Sequence, residues 1–181
     1  IVDCFYTAEN DKITEILKKN KVDKLDFICW THPDFDHSKG LKDIIDMYAS
    51  EKTSIWIPEG IDAKEITCSQ EVQKLFEYLK ECMTNIVSEY NVYSASDRKD
   101  MMFYNSVCFQ KDVNGYPLEI ISYAPNSKII RKQNYMDQFI KNDRSIFFVL
   151  ALGDVRIFLT GDIEDDTLEK IPSNYFGKHV H

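Results

Sequence analysis

The stretch FICWTHPDFDHSKGL, residues 27–41, constrains this chain more than any other. Four consecutive apolar residues, Phe27 to Trp30, read as a strand buried on both faces. Two histidines and two aspartates then fall within six positions, from His32 to His37. Packing does not require so many ligand-type side chains directly after a buried strand. Pro33 stiffens the turn by fixing its own φ. Alternate residues of an extended turn project to one side, so His32, Asp34 and Asp36 are expected to converge, with His37 reaching a second ion beside the first. Divalent metal sites draw on imidazole nitrogen and carboxylate oxygen at about 2 Å. One His after a strand is ordinarily polar surface, and Asp is a common turn former. Four at this spacing, framed by FICW and by Gly40 with a helix after it, favour a two-metal centre with ions roughly 3.5–4 Å apart and a hydroxide between them.

The rest of the pattern alternates strands with helices and then turns to strands alone. Ile13, Ile16 and Leu17 mark one helical face over 9–20, with Asn20 as the stop. Leu41, Ile44, Ile45 and Tyr48 predict a helix over 41–49, and SIWIPEG a short strand ended by Pro58 and Gly60. An apolar stripe from Val72 to Tyr90 predicts a long helix over 70–90 that packs in the core. Residues 91–101 read as a polar loop. MMFYNSVCF, PLEIISY, SIFFVLAL and VRIFLTG are rich in β-branched and aromatic residues and read as strands, with Gly153 and Asp154 as a hairpin turn between the last two. IEDDTLEKI reads as a short helix whose first-turn acids suit the helix dipole. No repeat, low-complexity tract or linker divides residues 1–181, so a single α/β or α+β domain with layered mixed sheets is expected.

Charge and cysteine usage narrow the function classes. The 22 basic residues against 30 acidic ones give a net charge of −8. Generic nucleic-acid binders release counterions through Lys and Arg, so this balance disfavours them, but it does not exclude an enzyme that meets phosphates through metal ions. The five cysteines are scattered and lack any C-x-x-C pair, and Cys29 and Cys82 sit in apolar patterns as small buried hydrophobes. Free thiols in a reducing compartment are expected. No apolar run approaches the ~20 residues that span a bilayer, and IVDCFYTAEN has neither the basic start nor the cleavage pattern of a signal peptide. A cytoplasmic setting without a membrane segment is the expectation. The chain opens inside the strand-like IVDCF and closes on FGKHVH, as a piece of a longer polypeptide would.

THPDFDH resembles the H-x-[HD]-x-D-H signature of the metallo-β-lactamase fold superfamily. Asp34, where many members have His, resembles the ComEC-like branch, whose soluble hydrolase domain is associated with DNA uptake. IVDCF is similar to the family's apolar-Asp strand, and NDRSIFFVLALGDVRIFLTGDIE, residues 142–164, resembles the branch's Asn-x-x-Ser strand pair ending in LLTGDIE. The resemblance implies an αββα layered sandwich, incomplete at both ends, with a helical insertion around 61–100. It implies two divalent ions, Zn or Mn. His32 and Asp34 match the first metal site, Asp36 and His37 the second, and Asp162 the bridging carboxylate. Asp36 also matches the residue that orients the attacking water. Lys39 stands where the family has Gly in DHxGG, Phe5 replaces Gly after DC, and the later K-x-x-HHGS segment is missing. His179 and His181 are therefore expected to be lead-in residues and not ligands.

The expected activity is metal-dependent hydrolysis by a metal-bound hydroxide, of phosphodiesterase or nuclease type, on a nucleic-acid or small-molecule substrate. Lys128, Arg131 and Lys132 in SKIIRK form a compact basic patch that could meet substrate phosphates, and a solvated loop explains them equally well. Two alternatives stand beside this expectation: hydrolysis of a thioester, lactone or other small ester on the same fold, and a catalytically reduced metal-binding interaction module.

Overall fold

Ile28 and Cys29 are completely buried, as a strand covered on both faces must be, and with Phe27 they form β1 (Phe27–Cys29). The computed structural model describes residues 1–6, 11–61, 68–84, 90–97, 99–107, 115–136 and 138–171. Helices and strands are mixed, with both parallel and antiparallel pairing, which makes the chain α/β in the broad sense. It divides into two compact units, Ile1–Ser94 and Ala95–His181.

In the first unit β1 pairs in parallel with β2 (Ser54–Pro58), Ile28 opposite Ile55 and Cys29 opposite Trp56. On its other edge, Val2 bridges Cys29 in parallel, with the Asp3 N–H donating to the Cys29 carbonyl at 2.8 Å. The segment read as strand IVDCF is thus a single bridge that brings Asp3 to the end of β1. Three helices surround this sheet in sequence: α1 (Lys12–Lys19), α3 (Leu41–Tyr48) and α4 (Gln70–Thr84), with the one-turn α2 (Phe35–Ser38) ahead of α3. Leu41, Ile44 and Ile45 of α3 and Val72, Leu75 and Leu79 of α4 are buried at the 3–4 spacing of an apolar stripe. Trp30, fully buried, meets Phe76 of α4 edge-on at 4.9 Å between ring centroids. Its indole N–H donates to Ser38 Oγ at 2.9 Å, which ties the end of α2 to the residue after β1.

Three expectations for this unit need correction. On α1 the buried positions are Thr14 and Leu17, while Ile16 is 58 % exposed. The inward face is centred on positions 13, 14 and 17, and at 100° per residue Ile16 lies off its edge. The long helix does not reach Tyr90, which sits in a bend before β3 (Asn91–Ala95); Ile86 and Val87 lie outside the described residues. Residues 91–101 are not a loop: they hold β3, third in the order β1-β2-β3, and the start of β4 (Lys99–Val107). Asn91 and Ser94 hide the alternation by composition, yet Tyr93 stacks on Trp56 at 4.9 Å between centroids.

The second unit is an antiparallel sheet ordered β4-β5-β6-β7, with β5 (Tyr116–Ala124), β6 (Phe147–Leu152) and β7 (Val155–Leu159). Gly153 and Asp154 make the predicted β6–β7 turn, and Gly153 takes φ +56. Ala124, Phe147, Val149 and Ile171 form a buried cluster beside Tyr123 and Ile163. Between β5 and β6 runs α5 (Ser127–Tyr135), which the sequence did not mark as a helix. Asn126 caps it, its Oδ1 accepting from the Lys128 and Ile129 N–H groups, and Ile129, Ile130 and Gln133 face inward. The acidic short helix is present as α6 (Asp165–Leu168). Among the described residues no helix is long and apolar enough to cross a membrane.

Two outcomes follow from the packing of the first unit. Ser38→Ala leaves the buried Trp30 N–H without its acceptor and should lower unfolding stability by about 1–3 kcal/mol, measured by urea denaturation. Burial pushes the Cys4 thiol up to about 12, with the Asp43, Asp3 and Asp11 carboxylates adding to the shift, and burial likewise raises Cys29. The folded chain keeps thiol protons that the unfolded chain releases near pH 9, so this contribution is present below that pH and falls as pH climbs toward 12. Unfolding curves between pH 8 and 11 should show the decline, and a disulfide reagent at pH 8 should titrate Cys4 and Cys29 only after unfolding.

Candidate metal centre

His32 lies three residues past β1 and is fully buried. The chain does not stay extended after Asp34. Asp34 is the N-cap residue of α2, so Asp36 and His37 sit on a helical turn closed by the His37 N–H to the Asp34 carbonyl at 3.2 Å. This corrects the expectation of three alternating side chains on one extended face. The turn carries His37 back over His32: their ring centroids are 4.1 Å apart, and ring nitrogens of the two lie within 4.8 Å.

His32 Nε2 is 3.6 Å from Asp34 Oδ2, and His37 Nε2 is 3.7 Å from Asp36 Oδ2. Two ligand atoms on one ion, each about 2.1 Å from it, stand roughly 3–3.4 Å apart. Each pair therefore fits one cation after an adjustment of a few tenths of an ångström. Asp34 is two-thirds covered, while the Asp36 side chain is 71 % exposed and faces water.

Sequence reasoning assigned no role in the site to Asp3, and the structure puts it at the centre. Its Oδ1 accepts from the Thr31 N–H at 2.7 Å, and its Oδ2 accepts from Thr31 Oγ1 at 2.6 Å and meets His37 Nδ1 at 2.8 Å. A carboxylate only accepts, so His37 Nδ1 is the donor, and the neutral imidazole presents a lone pair at Nε2. Thr31 has one hydroxyl proton and gives it to Asp3. His32 Nδ1, 3.0 Å from Thr31 Oγ1, is then the donor, and His32 Nε2 is also a lone pair. Both imidazoles are thereby held in the form that binds metal, the arrangement in which an outer carboxylate fixes tautomer and ring angle. Asp3 does this from φ +52, a left-handed conformation uncommon for a residue with a side chain and best tolerated by Asn and Asp. The one signal in the sequence is a lone Asp inside the apolar IVDCF.

Lys39 and Phe5 meet around the Phe35 ring. Lys39 Nζ lies 5.0 Å from the Phe35 ring centroid and 5.9 Å from that of Phe5, and the two rings are edge-to-face at 6.1 Å. Lys39 has φ −64, which any residue adopts, so a Gly is dispensable there. Gly40 is not: it takes φ +86, and a Cβ would come within 2.6 Å of Tyr6 Cβ.

In the second unit, Asp162 is exposed in the turn after β7. Two contacts hold that turn to the segment before β6: the Asp162 N–H donates to Ser145 Oγ at 3.1 Å, and Asn142 Nδ2 donates to Glu164 Oε1 at 3.0 Å. The Asn-x-x-Ser and GDIE fragments, separated by β6 and β7 in sequence, are thus one hydrogen-bonded corner. Lys128, Arg131 and Lys132 are exposed on α5, not on a loop. His179 and His181 lie outside the described residues. No protein-family model matches the chain, and no curated protein matches it significantly.

The proton assignment has a direct test. Imidazole nitrogen NMR of the metal-free chain should show His37 protonated at Nδ1, and Asp3→Asn, whose amide can donate to Nδ1, should move that proton to Nε2. An unchanged tautomer would show that Asp3 does not set it.

Proposed function

We propose that this chain carries a metal-dependent hydrolase site of phosphodiesterase or nuclease type, on the αββα layering of the metallo-β-lactamase fold. The observation that carries the reading is the pair of His–Asp couples, each at cation-binding spacing, with both Nε2 lone pairs set by Asp3. His32 and Asp34 would hold one ion, Asp36 and His37 the other, and Asp162 would join them as the motif resemblance implies. Zn²⁺ or Mn²⁺ bound there supplies Lewis-acid polarisation of a phosphoryl oxygen and a more acidic water. Asp36, the most exposed of these carboxylates around the histidines, orients that water and takes its proton. Asp3 keeps the imidazoles from turning, and Trp30 holds α2 through Ser38 so that the two couples keep their spacing. The carboxylate share of the ligand set supports hard-ion, phosphate-directed chemistry over a purely imidazole zinc site. Free thiols at Cys4, Cys29, Cys68 and Cys82 accord with a cytoplasmic setting.

Metal analysis of the complete polypeptide should find at least one equivalent of Zn or Mn, lost in His32→Ala. Asp3→Asn should weaken metal binding by roughly 10–100-fold in a chelator competition. Cleavage of single-stranded DNA should fall at least about a hundredfold in His32→Ala and Asp36→Ala. Less than one equivalent of metal, unchanged by His32→Ala, would reject the enzyme. Acceleration of thioester hydrolysis alone would keep the hydrolase and reject the phosphodiester substrate.

A further inference from the structure

The second unit contains a cavity of about 540 Å³, in the range of small-molecule sites. One wall is α5, and the other is supplied by Gln138, Ile140 and the segment from Asp166 to Lys170. Ile129, Met136 and Ile140 give it an apolar surface, and Lys128, Lys132 and Lys170 bring three ammonium groups to it. Lys128 and Lys132 are one helical turn apart and share a face of α5. Among the described residues no carboxylate forms an ion pair with any of the three.

The floor of the cavity is already satisfied internally. Asp143 Oδ2 accepts from Gln133 Nε2 at 2.6 Å and its Oδ1 from Thr167 Oγ1 at 2.8 Å. Gln133 Oε1 accepts from Arg144 Nε at 3.3 Å, and Arg144 is itself buried. The N-terminal N–H groups of α5 are likewise occupied by Asn126, so an incoming anion would meet the lysines and not the helix end. Asp166 remains at the rim as a carboxylate able to accept from a hydroxyl.

Three lysines against two carboxylates, Asp143 and Asp166, line the cavity, and Asp143 is already taken up by Gln133 and Thr167, so in a chain of net charge −8 the lining is locally positive. Three ammonium donors suit the several oxygens of a phosphate. The apolar wall suits a flat organic body beside it. We propose that this cavity binds a nucleotide-sized organic monophosphate, its phosphate held by Lys128, Lys132 and Lys170 and its ring lying against Ile129, Met136 and Ile140. The site does not draw on the metal centre and stands whether or not that reading does.

Calorimetric titration of the full chain with AMP, in the presence of a chelator, tests the proposal. AMP should bind, with adenosine and inorganic phosphate each weaker by about tenfold or more. Lys132→Ala and Lys170→Ala should each weaken AMP by about five- to tenfold, with circular dichroism unchanged because both side chains are exposed. His32→Ala should bind AMP as the wild type does. No AMP binding at millimolar concentration overturns the proposal. So does an affinity unchanged in the Lys132→Ala/Lys170→Ala double variant, inorganic phosphate as tight as AMP, or loss of AMP binding in His32→Ala.

Discussion

The carboxylate of Asp3 takes hydrogen bonds from the Thr31 backbone, the Thr31 hydroxyl and His37 Nδ1, and through them it decides which way two imidazoles present their lone pairs. Everything else in the first unit serves that arrangement. The parallel bridge from Val2 to Cys29 brings Asp3 to the end of β1. Backbone bonds from Cys4 to the His37 carbonyl and from Tyr6 to the Lys39 carbonyl then sew the N-terminal segment along α2. From the other side, Trp30 grips α2 through Ser38 while its ring is buried against Phe76. The turn that bears the ligands is thus held from two directions, and each hold is anchored in the core.

The candidate cluster is legible in the sequence because four ligand-type side chains in six positions have no packing explanation. Its geometry was not. An alternating pattern and a one-turn helix place ligands differently, and nothing in PDFDHS distinguishes them without the closing bonds to the Asp34 carbonyl. Asp3 went unassigned because its partners are about thirty residues away, and a lone acid in an apolar strand reads as noise until they are known. β3 does not stand out in the sequence because its inward positions, Val92 and Ser94, mix an aliphatic with a polar side chain and alternate with the exposed Asn91 and Tyr93. α5 was missed for the opposite reason: two adjacent isoleucines and a glutamine bury its inner face, and SKIIRK on its own shows only charge.

The departures at Phe5 and Lys39 look less like damage once placed. Gly40 combines φ +86 with no room for a Cβ beside the Tyr6 side chain, whereas Lys39 has φ −64, which any residue adopts. Phe5, Phe35 and Lys39 make contact as a group and form a small aromatic and cationic lip. In the second unit the same logic holds for the paired motif fragments. Ser145 with Asp162 and Asn142 with Glu164 show why Asn-x-x-Ser and GDIE belong together: the first segment supplies the bonds that shape the turn of the second.

Charge distinguishes a binding site from a merely structural turn. Asp3, Asp34 and Asp36 surround two imidazoles, so the cluster gathers three carboxylates around His32 and His37. Lys39, the nearest basic residue in the chain, turns its ammonium onto aromatic rings and pairs with no carboxylate among the described residues. Like charges held this close repel, and partial burial strengthens the repulsion. A turn that only needed closing could use Ser, Thr or Asn at the same positions without that cost. The cavity in the second unit has the opposite balance, three ammonium groups against two carboxylates beside apolar side chains. The two proposals give each arrangement an ion of opposite sign: a divalent cation for the first and a phosphate for the second.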